Sequence, residues 1–179
     1  MTRKRALIAS AVAAVAIGVV LFALDVRMMD AGGPGIIGFE LAGTQHRAAE
    51  ILADWGRKGT DAAKASLWID YAYIVAYGTF LVLASWATRD LALERGWRRM
   101  AAWGLAVIPF AAAAAAFDAI EDVGLLLAVN QHGRDLAPRL AQVCASLKFA
   151  LIAVTIAYLL VGLGLRLRDR YSARRPGRV

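Results

Sequence analysis

Four apolar runs set the terms on which this chain folds. They extend from Ala6 to Leu24, Ala65 to Ala87, Ala101 to Val129 and Leu140 to about Leu165. Each reaches or exceeds the roughly 18–20 residues that cross about 30 Å of hydrocarbon at a helical rise of 1.5 Å. In the bilayer core no water satisfies the backbone, so an apolar run of this length folds as a helix. The chain has 179 residues and is 60% hydrophobic, above the share usual in soluble domains. Too little remains between the runs for a separate soluble domain. The expected fold is all-α: a single domain over 1–179, an integral membrane bundle of four transmembrane helices near 6–27, 62–89, 99–130 and 140–167.

The first run follows Arg3, Lys4 and Arg5, as a signal peptide would. Its apolar core is longer than the usual 7–15 residues and continues into Asp25-Val26-Arg27 without a small-x-small cleavage pattern. An uncleaved first helix is expected. The formal net charge is +7, but its placement points to topology rather than nucleic acid. Thirteen Lys and Arg fall on the side of the two termini and the turn between the second and third runs, with seven on the other and Lys148 inside the fourth run. The positive-inside rule then places both termini in the cytoplasm, which four crossings allow. The expected location is a bacterial inner membrane, with lipids as partners and no nucleic acid. Four helices are few for a transporter, which makes a homodimer a further expectation.

The loop at 28–61 is the one sizeable segment outside the runs. It opens with Gly32-Gly33-Pro34-Gly35, which cannot continue a helix, and then offers Ile36-Ile37-Gly38-Phe39-Glu40-Leu41. Thr44 is placed to cap a short helix ending at Gly56. Ala48, Ile51, Leu52 and Trp55 form its apolar stripe, so it reads as a short amphipathic helix in the first outer loop. Such a helix either floats as an interfacial anchor or closes over a cavity. Trp86, Trp97 and Trp103 cluster at the opposite ends of the helices, where tryptophan prefers the interface. In the third helix Pro109 removes a backbone hydrogen bond, which predicts a kink, and the alanines 111–116 favour close helix approach.

Chemistry concentrates in a few polar residues inside the runs. The third run holds Asp118, Glu121 and Asp122, which spacings of three and four place on one helix face. Counting from the helix ends puts Asp122, Glu121 and Asp118 about 10, 12 and 16 Å deep, Asp70 about 8 Å and Lys148 about 12 Å. Three helices thus bring charged groups to one layer in the outer half. Ser66, Asp70, Tyr73 and Tyr77 form a stripe on the second helix, and Cys144, Lys148 and Thr155 share a side of the fourth. Four carboxylates face one ammonium, leaving three negative charges in excess, so a proton, a cation or water must enter the layer. Glu40 and Ser66 are secondary candidates for the same site.

Asp and Glu suit Ca²⁺, Mg²⁺ or Mn²⁺ by ligand type, but no diagnostic spacing marks a metal site and no cofactor is expected. A single cysteine, Cys144, excludes an internal disulfide, and His46 with His132 supply little for zinc or haem.

The segments Phe39-Glu40-Leu41-Ala42, Asp54-Trp55-Gly56, Asp70-Tyr71-Ala72-Tyr73 with Tyr77-Gly78, and Asp118-Ala119-Ile120-Glu121-Asp122 occur in this order. This pattern resembles a group of small, uncharacterised four-helix bacterial inner-membrane proteins, with Asp122 in place of the asparagine of an Asp-x-x-Glu-Asn motif. The resemblance implies a multi-pass inner-membrane protein and supplies no activity.

The leading functional expectation is an acidic polar cavity that binds a small ligand or cation, with proton coupling as an option. It is formed by Asp70, Tyr73, Tyr77, Asp118, Glu121, Asp122 and Lys148. Two alternatives stay open. One is a membrane-embedded enzyme using carboxylate acid–base chemistry on a lipid or isoprenoid-like substrate. The other is an accessory subunit whose polar layer only sets helix register.

Overall fold

The computed structural model describes residues 2–132 and 134–173. Arg174, Arg175 and Arg178, which contribute to the charge asymmetry, lie outside them. The helices are α1 (Arg3–Asp30), α2 (Ile36–Glu40), α3 (Gln45–Glu94), α4 (Arg98–Val129) and α5 (Leu136–Ala173), and no strand occurs among the described residues. Four of the five, all but α2, are long and apolar enough to cross a membrane. α1, α3 and α5 extend beyond the expected bounds, whereas α4 matches them to within one residue at each end, and ion pairs join the charged helix ends. Arg3 Nη1 lies 2.6 Å from Asp90 Oδ2, and Arg95 Nη1 lies 3.2 Å from Asp169 Oδ2. Arg3 also sits 4.2 Å from the ring centre of Trp86, a cation–π contact.

The largest difference from the sequence reading lies in the loop expected at 28–61. The amphipathic helix and the second long helix follow each other within α3, broken only at Gly56, whose φ of 54° is left-handed and non-helical. Glycine tolerates that conformation, so one helix stops and the next begins without a linker. Thr44 Oγ1 accepts from the Arg47 N–H at 3.2 Å and caps the first arm of α3, 45–55.

This arm is a cap rather than a floating anchor. Of its stripe, Ala48, Ile51 and Trp55 are fully buried with Met28, Phe39, Leu125, Ala128 and Ala141, and Leu52 is partly buried against them. Trp55 Nε1 donates to the Pro34 carbonyl at 2.6 Å, and its ring lies 5.1 Å from that of Phe39. The start of α2 is held by Asp25, whose Oδ1 accepts from the Ile36 N–H at 2.5 Å. The tail of α1, the arm and α2 therefore form one lid over one end of the bundle.

Small residues set the spacing of the long helices. A Cβ on Gly78 of α3 would lie 2.9 Å from Ala115 Cβ of α4. A Cβ on Gly124 of α4 would lie 3.0 Å from the Ala137 carbonyl and 3.3 Å from the Ala141 nitrogen of α5. The alanine run thus serves close packing, with Ala111 and Ala114 fully buried, and α4 remains helical through Pro109. Gly124→Val is expected to cost about 1–3 kcal/mol, the usual range for overpacking. Equilibrium unfolding in detergent measures it.

The packing is an open series and not a closed ring. α1 rests along α3, α3 on α4, and α4 on α5, with a shorter α3–α5 contact. Among the described residues α1 and α5 form no extended interface. Only Ser10 and Met28 of α1 are buried. A seam therefore runs between α1 and α5, where Val15 of α1 is 70% exposed.

Candidate functional site

Beneath the lid, the polar residues singled out in the sequence converge. Asp118, Glu121, Asp122 and Lys148 are all buried, at 5% exposure or less. The face shared by Asp118, Glu121 and Asp122 on α4 turns toward α3 and α5, while the neighbouring Ile120 and Val123 point outward. Lys148 approaches from α5. Its Nζ lies 2.6 Å from Asp118 Oδ1, 2.9 Å from Glu121 Oε1 and 3.5 Å from Glu40 Oε2. Tyr77 donates its hydroxyl to Asp118 Oδ2 at 2.7 Å, so both oxygens of Asp118 are engaged. The Tyr73 and Tyr77 rings stand 5.1 Å apart.

Asp70 and Asp122 receive no ion pair from Lys148. One carboxylate oxygen from each, with one from Asp118, can all be found within 4.8 Å of one another. The Asp122 Oδ2 and Glu121 Oε2 atoms are buried without a hydrogen-bond partner among the described residues. Buried polar atoms are normally satisfied, and an orphan charged oxygen is costly. Three carboxyls at this spacing, away from water, cannot all carry charge uncompensated.

Two cavities flank the layer. A chamber of about 190 Å³ lies on the lid side, where Asp25, Ser66 and Asp122 contribute polar walls. A groove of about 580 Å³ runs the other way along the α1–α5 seam, past Tyr73, Tyr77, Asp118 and Lys148. Glu40 and Asp70 line both and form the partition between them. The stripe Ser66, Asp70, Tyr73, Tyr77 faces these spaces as its spacing predicts. Cys144 and Thr155 are buried on the α5 face that carries Lys148 but line neither cavity. Tyr71 instead pairs with the exposed Trp68, ring centres 6.1 Å apart.

Glu40 is a full member of the layer, where the sequence supports only a secondary role. It is 8% exposed. Its depth could not be counted from a loop, and the only signal was one acid in an apolar segment. Asp25 was missed as a cavity residue because it reads as the polar end of a helix. With Glu40 included, five carboxyls surround one ammonium.

Burial pushes the Glu40 carboxyl above the ordinary carboxylate range, against the opposing pull of Lys148. A raised folded-state value means stability that is complete below the unfolded value near 4.5 and lost as pH rises through the folded one. Thermal midpoints are expected to fall as pH is raised above that range without added cations. Glu40→Gln, which stays neutral, should flatten part of that slope, read by scanning fluorimetry across pH.

No protein-family model, curated protein or solved structure matches this chain.

Proposed function

We propose that this is a multi-pass membrane protein whose acidic layer binds a cationic ligand and gives up protons as it does so. Membrane insertion is supported by four helices of spanning length and by the apolar surface of α1, far larger than a soluble monomer leaves uncovered. The excess of Lys and Arg at the end opposite the lid supports cytoplasmic termini and an outward-facing lid. The resemblance to small four-helix bacterial inner-membrane proteins supports that membrane as the location.

The observation that carries the functional reading is the mismatch of charge. Lys148 is saturated by Asp118, Glu121 and Glu40, while Asp70 and Asp122 stand beside Asp118 with no cation of their own. A layer that only sets helix register needs matched partners, and the unpaired buried oxygens work against that role. Protons or a bound cation supply the missing charge, and a cation displaces protons from the same oxygens. By linkage, cation affinity then rises with pH.

The test is a set of melting curves for the detergent-purified protein across pH, with and without Mg²⁺, Ca²⁺ and tetramethylammonium. At least one cation is expected to raise the wild-type midpoint, more at high pH than at low. The Asp118→Asn/Glu121→Gln variant should respond weakly. A flat wild-type response, the same as the variant's, would overturn the reading.

A further inference from the structure

We propose that the occupant of the α1–α5 groove is a single-chain amphiphile with a positively charged head, entering sideways through the open seam. This rests on the cation-binding reading of the acidic layer and names the class of ligand it serves.

The groove changes character along its length. One end presents Asp70 and Asp118, and the remainder is lined by apolar side chains such as Val15, Phe80, Ile152 and Ile156. From Lys148 to Ile156 is eight residues, about 12 Å along α5. A bare ion fills only the acidic end, whereas a head with an attached chain fills both. The sign of the head follows from charge. The Lys148 ammonium already contacts three carboxylates, so an anionic head finds no free cation and adds to a negative surplus. A cationic head reduces that surplus, and the neighbouring Tyr73 and Tyr77 rings can offer it their π-faces. Glu40, on the wall shared with the chamber, keeps its Oε2 buried without a hydrogen-bond partner among the described residues, 3.5 Å from Lys148 Nζ, whereas Asp122 faces the chamber and lies behind Asp70 and Asp118. Access needs no opening of the lid, because α1 and α5 are not packed together and Val15 and Ile156 are 70% and 44% exposed along the seam.

The test uses full-length protein in nanodiscs of zwitterionic lipid. The probe is an alkyltrimethylammonium with a diazirine at the chain end, and the control is an alkyl sulfate with the same tail. Labelled residues are mapped by mass spectrometry. The ammonium probe is expected to label groove residues of α1 and α5, in competition with plain dodecyltrimethylammonium, while the sulfate labels diffusely without competition. Ile156→Trp fills the apolar end, about two helical turns from the acids, and is expected to cut specific labelling about tenfold. Its melting response to small cations should persist. Equal labelling by the sulfate, or undiminished labelling of Ile156→Trp, overturns the proposal. Absence of specific labelling with the small-cation response intact overturns the amphiphile alone; absence of both overturns the cation site as well.

Discussion

Lys148→Met is expected to destabilise the protein by about 3–5 kcal/mol, the cost of leaving buried charges without their partner. The ammonium contacts Asp118, Glu121 and Glu40 within 3.5 Å, and all three acids are buried. Methionine keeps much of the volume and removes the charge. Neutralising the acids should recover most of the loss, because the penalty lies in uncompensated carboxylates and not in lost packing. Lys148→Met combined with Asp118→Asn and Glu121→Gln is therefore expected to unfold much closer to wild type than Lys148→Met alone. Lower pH should partly rescue the single variant by the same logic, and chemical unfolding at two pH values separates these terms. A loss that neither the added substitutions nor acid relieves would assign the cost to packing.

The second large effect is expected at the lid. Trp55→Ala should cost about 3–5 kcal/mol, as for other fully buried large aromatics. It removes the ring packed on Phe39 and the hydrogen bond to the Pro34 carbonyl that holds the α2 approach in place. α2 is five residues long and cannot persist without such support. Glu40 should leave the layer with it. Amide exchange over residues 36–42 is expected to accelerate in Trp55→Ala, while the α4–α5 contact around Gly124 remains protected. Uniform acceleration along the chain would mean that lid and bundle unfold as one unit.

Much of the site was legible before the structure. Depth counting needs only an unbroken helix through an apolar run, which holds for α4, α5 and the long arm of α3. Asp70, Asp118, Glu121, Asp122 and Lys148 accordingly meet as their positions predict. The Thr44 cap and the Ala48–Ile51–Trp55 stripe were legible because capping and amphipathicity are local. What lay beyond the sequence is tertiary. Glu40 reaches Lys148 because Trp55 and Asp25 clamp the 34–36 turn from elsewhere in the chain, which no local rule reveals. The continuity of α3 depends on a left-handed φ at Gly56 that a glycine permits but does not require. The α1–α5 seam was invisible because periodicity says which face of a helix is apolar, not which neighbour covers it.

Proton release on cation binding tests the central claim most directly. On the proposed reading, some of the five carboxyls that share one ammonium hold protons at neutral pH, and an arriving cation displaces them. The measurement is a titration of weakly buffered, detergent-purified protein with Mg²⁺, Ca²⁺ or tetramethylammonium, following pH. The account predicts a saturable release of protons for at least one of these cations, strongly reduced in Asp118→Asn/Glu121→Gln and in Asp122→Asn. No release above the protein-free blank, or the same release from the variants, would contradict it.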